Sequence, residues 1–151
     1  VKIAIACDHA GFELKETLKV LIKSLGHEVA DLGTDSASKS VDYPDFAAKA
    51  ALEIKAGRAE RALVICGSGV GACVAANKFP GVRAGLCHDT YCARQGVEHD
   101  DINILCMGSR VIGVELAADV TRAYLSAKFT GEERHKRRLE KITALEKNFR
   151  L

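Results

Sequence analysis

The apolar run Ala62-Leu-Val-Ile-Cys66 passes directly into Gly67-Ser-Gly69-Val-Gly71 and then into a helix-like segment. Glycines after a strand let backbone N–H groups approach an anion, and the following helix adds its positive end. A thiol at that junction could be drawn toward thiolate, the form that acts as base or nucleophile. A buried structural cysteine before an ordinary turn is the competing account. The loop is not a dinucleotide fingerprint, because the third glycine comes too early for GxGxxG, and it lacks the Lys-Ser/Thr of a P-loop. A phosphate smaller than a dinucleotide suits it better.

Other polar groups collect at the ends of strand-like runs. Asp8-His9 closes the first run, where the pair could hold a sugar hydroxyl and a phosphate together; an N-cap with a neighbour is the plain alternative. Asp42-Tyr43-Pro44-Asp45 precedes a helix, and capping alone could account for both aspartates. Cys87-His88-Asp89 superficially offers a thiol, a base and an acid, but three consecutive residues of one extended segment cannot converge on one point. Gly108-Ser109-Arg110 follows the last strand-like run, placing an arginine where it could meet an anion. Arg134 and Arg138 are one turn apart with His135 between them, so they could clamp a phosphate or simply form a solvated basic face.

Elements that position these residues are legible from periodicity. Strands are expected near 2–7, 28–32, 62–66, 84–87 and 103–107, with helices near 11–25, 44–57, 70–78, 90–98 and 112–127. Leu14, Leu18, Leu21, Ile22 and Leu25 form a helical stripe that Gly26 ends, and Pro44 and Gly57 bracket the second helix. Strands joined by helices imply parallel pairing with right-handed crossovers. The fold expected is therefore α/β, a doubly wound Rossmann-like sandwich of about five parallel strands, with an extra C-terminal helix over 131–147. In this arrangement His99, between the fourth helix and fifth strand, lies at the edge opposite the strand carboxyl ends. A strand of about five residues separates those edges by roughly 17 Å, so His99 can act with Cys66 only on a neighbouring subunit's site.

Bulk properties bound the rest. With 151 residues, 48% hydrophobic and 28% charged, the chain suits one domain over 1–151. No apolar run approaches the ~18 residues of a membrane span and no signal-peptide pattern opens the sequence, so the cytoplasm is the expected location. Cys7, Cys66, Cys73, Cys87, Cys92 and Cys106 form no CxxC and no Cys/His zinc spacing, so reduced thiols are expected rather than bridges or metal. A net charge of +2 does not point to nucleic acid. Residues 1–127 carry 14 Lys/Arg against 16 Asp/Glu, whereas 128–151 carry 8 against 4. The basic excess thus sits in a helical tail, 128–151, expected to contact a partner subunit or an anion.

Taken in order, these segments resemble the ribose-5-phosphate isomerase B family, which includes the galactose-6-phosphate isomerase subunits. The resemblance is carried by Asp8-His9-Ala-Gly11, Leu14-Lys15, Gly33-Thr34, Asp42-Tyr43-Pro44, Cys66-Gly-Ser-Gly-Val-Gly71 and Ala75-Ala-Asn77-Lys78. It continues through Gly81-Val-Arg83-Ala84, Glu98-His99, Asn103-Ile104-Leu105, Gly108-Ser-Arg110 and Arg134-His135. It implies cofactor-free and metal-free interconversion of an aldose phosphate and a ketose phosphate through an enediolate, with ribose 5-phosphate and ribulose 5-phosphate as the expected pair. By the resemblance Cys66 moves the proton between C1 and C2, His99 helps to open the sugar ring, Ser68 and the N–H groups of Gly69, Val70 and Gly71 supply oxyanion donors, and Gly67 lies against the substrate. Asp8, His9 and Tyr43 would contact the sugar phosphate, Asp100 would lie beside it, and Arg110, Arg134 and Arg138 would hold its phosphate. The family site is shared between subunits, so a homodimer or tetramer is implied. One branch of the family carries a glutamate base after the loop; Ala72 stands there, which makes this chain the cysteine type.

Two departures from the family pattern stand out. Asp100 occupies the usual place of an asparagine, and an ionised aspartate cannot donate an amide hydrogen bond. Gly131-Glu-Glu-Arg134 replaces Gly-Gly-Arg with about one extra residue, which affects the placement of Arg134 and Arg138. Alternative substrates are six-carbon sugar phosphates such as allose 6-phosphate or galactose 6-phosphate. Different readings altogether are a flavodoxin-like binding module, against which stand the Cys66–glycine loop and the lack of an acidic receiver pocket, and a non-catalytic subunit, against which stand Cys66 and His99.

Overall fold

The computed structural model describes residues 1–149. Its strands are β1 (Lys2–Cys7), β2 (Glu28–Asp31), β3 (Arg61–Cys66), β4 (Ala84–Leu86) and β5 (Ile104–Gly108). They pair in parallel throughout, in the order β2-β1-β3-β5-β4. The connecting helices are α1 (Phe12–Ser24), α2 (Tyr43–Lys55), α3 (Val70–Ala76), α4 (Thr90–Asp100) and α5 (Val114–Ser126), and α6 (Glu133–Asn148) follows. The five-stranded α/β sandwich expected from the sequence is the fold observed. None of the described helices is long and apolar enough to cross a membrane.

Strand alternation decides the layers. Ile3, Ile5, Cys7, Leu63, Ile65, Leu105 and Met107 face α1, α4 and α5, whereas Ala4, Ala6, Ala62, Val64, Cys66 and Cys106 face α2 and α3. The second face is built largely of alanines, including Ala47, Ala50 and Ala51 on α2 and Ala72 and Ala76 on α3. Small side chains let these helices lie close to the sheet, and Cys66 belongs to this face.

Element ends differ from the periodicity by a residue or two, three of them for a visible local reason. The helix expected from residue 11 begins at Phe12, because Asp8 caps a 3-10 turn over His9–Gly11. α3 stops at Ala76 rather than 78, since the Asn77 amide bonds both the N–H and the carbonyl of Ala84, at 2.8 and 2.9 Å. α6 starts at Glu133 because Gly131 is left-handed, at φ 68°, and Glu132 is extended.

One charged side chain is nearly lost from solvent. Lys15 on α1 is 2% exposed and donates to both carboxylate oxygens of Asp31 at 3.0 Å and to the Thr34 carbonyl at 2.9 Å. It thus ties the end of β2 and the loop beyond it to α1. Burial opposes ionisation of Asp31, but hydrogen bonds from Lys19 and Lys15 hold its carboxyl below the usual range. Glu16 is lowered too, chiefly by Lys19. Removing the ammonium leaves a half-buried carboxylate that still has Lys19, so Lys15→Met should cost about 2 kcal/mol, less than the ~3–5 of a fully buried pair. Depressed carboxyl values contribute stability that is full above the ordinary carboxylate pKa and lost as pH falls through the depressed one. Urea unfolding of the two proteins should therefore show the gap at about pH 7 and its near closure at about pH 2.

Candidate active site

Parallel pairing puts the carboxyl ends of β1, β3 and β5 side by side, and the order reverses direction between β1 and β3, the usual ligand position in such sheets. A cavity of about 730 Å³ opens there, lined by Asp8, His9, Tyr43, Cys66, Gly67, Ser68, Val70, Gly71 and Arg110. Ala10, Val74 and Val111 complete its wall. Three loops are laced together beneath it. Ser109 N–H donates to the Cys66 carbonyl at 2.9 Å, Arg110 N–H to the Gly67 carbonyl at 3.0 Å, and the Ser109 hydroxyl to the Ala10 carbonyl at 2.8 Å.

The two residues that follow β1 each bond the backbone. One Asp8 oxygen, Oδ1, accepts from Ala10 N–H at 3.0 Å and Gly11 N–H at 3.2 Å, so the capping account of Asp8 holds while Asp8 also lines the cavity. His9 Nδ1 accepts from Val41 N–H at 3.2 Å. In the neutral ring this bond leaves the proton on Nε2. Asp42 stands at the N-cap of α2 yet makes no side-chain capping bond, so capping does not account for it.

The glycine loop is shaped around a sulfur and two side chains. Gly69 has φ 78°, and its N–H donates to Cys66 Sγ at 3.1 Å. Val70 N–H donates to Ser68 Oγ at 3.2 Å. A Cβ on Gly71 would lie 2.4 Å from the Tyr43 ring, so this glycine makes room for that ring. Gly67 lies under Arg110, whose Nη1 would stand 3.3 Å from a Cβ there. Among the other thiols, burial pushes Cys7 up to about 11 and Cys87 up to about 12. Cys73, on α3, is lowered to about 7, mainly by its hydrogen bond with Cys106, and lies outside the cavity wall.

Cys87, His88 and Asp89 do three separate things, as their adjacency requires. The Cys87 thiol is buried, Asp89 caps α4 by accepting from Cys92 N–H at 2.7 Å, and His88 Nε2 accepts from Gly108 N–H at 2.9 Å. His88 and Ser109 therefore brace the Arg110 loop, roles that no sequence motif announces.

The remaining candidate residues lie elsewhere. His99 is in the last turn of α4, at the amino edge of the sheet, beside the entry to β5. Its ring stacks on His135 of α6, with centroids 4.1 Å apart. Arg134, paired with Glu132 at 3.0 Å, and Arg138 belong to the same helix. Asp100 lines a second groove, of about 540 Å³, with Arg83, Ile142 and Glu146. Within one chain the structure thus brings Asp8, His9, Tyr43, Ser68, Cys66 and Arg110 together, and keeps His99, Asp100, Arg134 and Arg138 apart from them.

Comparison with known proteins bears on this arrangement. The family model described as Ribose/Galactose Isomerase matches residues 3–142. The chain is 45% identical over 145 residues to ribose-5-phosphate isomerase B of Escherichia coli, covering 96% of each. It superposes on the Clostridium thermocellum ribose-5-phosphate isomerase B with TM-score 0.96 and 46% identity, covering 99% of this chain and 100% of that one. A Mycoplasma genitalium ribose-5-phosphate isomerase B with bound ribulose-5-phosphate matches with TM-score 0.91 and 38% identity, over 97% of this chain and 96% of that one.

The Gly71–Tyr43 contact yields a sign reversal. Gly71→Ala should destabilise by about 1 kcal/mol through overpacking against the ring. With the ring removed by Tyr43→Ala, the same change should stabilise by ~0.5–1 kcal/mol, the ordinary gain of alanine in a helix. Urea unfolding of the two single variants and the double variant reads both values.

Proposed function

The chain belongs to the Ribose/Galactose Isomerase family and is a sugar-phosphate aldose–ketose isomerase, and we propose that it interconverts ribose 5-phosphate and ribulose 5-phosphate with Cys66 as the base. The observation that carries this reading is Cys66 Sγ at a 730 Å³ cavity, accepting the Gly69 N–H at 3.1 Å. A proton next to a carbonyl is weakly acidic, so the base must be ionised and the developing oxygen charge must meet fixed donors. The Gly69 N–H supports the thiolate. Since that N–H faces the sulfur and the Val70 N–H faces Ser68 Oγ, the enediolate oxygens are served by the Ser68 hydroxyl and the Gly71 N–H. Cys66 takes the C2 proton of the open-chain aldose and returns it to C1, and the hydroxyl and carbonyl oxygens exchange their proton. Asp8, His9 and Tyr43 hold the sugar, and His9 offers its Nε2–H.

The second half of the site is supplied by a partner copy. His99 and Asp100 end α4 at the far edge of their own sheet, Arg134 and Arg138 lie on α6 packed against α4, none of the four lines its own cavity, and a homodimer brings them to the other one. Asp100 offers only acceptors, and the basic tail lies at the subunit contact over its described residues, 128–149. Arg110 of one chain and Arg134 and Arg138 of the other hold the phosphate. His99 opens the furanose: its imidazole takes the C1 hydroxyl proton as the C1–O4 bond breaks and gives it to the ring oxygen. Six free cysteines support a reducing compartment, the cytoplasm.

Cys66→Ala should abolish turnover of ribose 5-phosphate and solvent exchange of its C2 proton, while the fold and sugar-phosphate binding remain. Wild-type turnover in that variant would remove Cys66 from the role. Mixing Cys66→Ala with His99→Ala chains should restore activity from the aldose in one of the two sites of each mixed dimer. A mixture no more active than its parents would refute the shared site. Assay of the same protein on hexose phosphates separates the pentose reading from the six-carbon one.

A further inference from the structure

His135 is 1% exposed, and neither of its ring nitrogens has a hydrogen-bond partner. Nε2 stands 3.9 Å from the Glu132 carboxylate, beyond hydrogen-bond range. Buried polar atoms are ordinarily paired, so an imidazole kept in this state needs a reason other than filling space. The ring does present a flat face. It lies against His99 with centroids 4.1 Å apart and planes 21° from parallel.

One further contact holds His99 itself, and a second holds its turn of α4. The Gln95 side-chain amide, one turn back on α4, lies 2.9 Å from His99 Nδ1. A half-turn of that amide presents either NH2 or oxygen, so it can hold Nδ1 bare or protonated. Thr130 N–H donates to the Glu98 carbonyl at 3.0 Å, which pins the start of the tail to the same turn of α4. Burial above all, with His99 and Arg134, keeps His135 below the usual imidazole range, so the surface under His99 is a neutral ring.

We propose that His135 is a positioning residue for His99: a buried aromatic shelf that, with Gln95, fixes the imidazole plane and leaves Nε2 directed outward for ring opening in the partner's cavity. The inference rests on the reading of His99 as the group that opens the sugar ring. A side chain aimed by packing transfers protons far better than one that rotates freely. Without the shelf, Gln95 alone restrains one edge of the ring.

Ring opening is needed in one direction only, and that makes the role measurable. Ribose 5-phosphate is mainly a closed furanose, whereas ribulose 5-phosphate stays open because its fifth oxygen carries the phosphate. If opening is lost, the enzyme consumes only the open-chain aldose, whose supply is uncatalysed. The rate from ribose 5-phosphate then stops rising as enzyme is added, while the rate from ribulose 5-phosphate stays proportional to enzyme.

Two non-aromatic variants, His135→Leu and His135→Gln, provide the test, so that a folding failure in one leaves the other. A folded variant should turn over saturating ribose 5-phosphate roughly tenfold to a hundredfold more slowly, because a badly aimed His99 still opens the ring but slowly. From ribulose 5-phosphate it should stay within about twofold of wild type. His135→Phe, which keeps a flat ring, should restore the aldose rate. Equal losses from both sugars, wild-type behaviour of a folded non-aromatic variant, or failure of His135→Phe to restore opening would each overturn the proposal. His99→Asn is the separate control: if it shows no plateau, the reading of His99 itself is wrong, whereas a plateau there with a wild-type aldose rate in the His135 variants leaves that reading intact and removes only the shelf.

Discussion

A parallel sheet admits its chain from the same end at every strand, and this single constraint organises the molecule. Each strand of the β2-β1-β3-β5-β4 order delivers its following loop to one edge, and each helix delivers its last turn to the other. Asp8, Cys66 and Arg110 therefore share a cavity although about a hundred residues separate the first from the last. By the same rule His99, in the last turn of α4, is carried to the opposite edge. The separation of His99 from Cys66 within one chain follows from chain direction, before any side chain is considered.

Within the cavity edge, close packing sets the chemistry. The Gly67–Gly71 loop is pressed between β5 and Tyr43, with Gly69 left-handed, and that shape directs the Gly69 N–H at the Cys66 sulfur. Glycine is used here less as an open cradle for an anion than as room for Tyr43 and Arg110. The alanine-lined face shared by α2, α3 and the sheet serves the same end, because small side chains let the Tyr43-bearing start of α2 approach α3.

Supporting contacts carry this precision away from the cavity. Lys15 closes the β2 end onto α1, and the loop that follows supplies the Val41 N–H that fixes the His9 ring. His88 and Ser109 hold the Gly108–Arg110 turn through backbone groups. These residues are polar groups satisfied by the backbone, and their contribution is geometric: they leave the cavity side chains few alternative positions.

Periodicity, glycine spacing and helix-end signals were enough to read the strand and helix order, the parallel sheet and the polar strand ends, because these depend on local pattern. The same signals placed His99 at the wrong edge for its own Cys66, since chain direction alone requires it. What sequence left open depended on contacts between distant segments. Asp8 is a true cap while Asp42, of the same residue type in a similar place, makes no capping bond. Lys15 on an apolar stripe finds Asp31 and Thr34 only after β2 has paired with β1. His135 reads as one more polar residue on a basic helix until α6 packs on α4 and lays its ring against His99. Local pattern thus decided the elements and the order of the candidate residues, whereas packing at short range decided which atoms meet, because hydrogen bonds and ring contacts fall off within an ångström or two of their optimum.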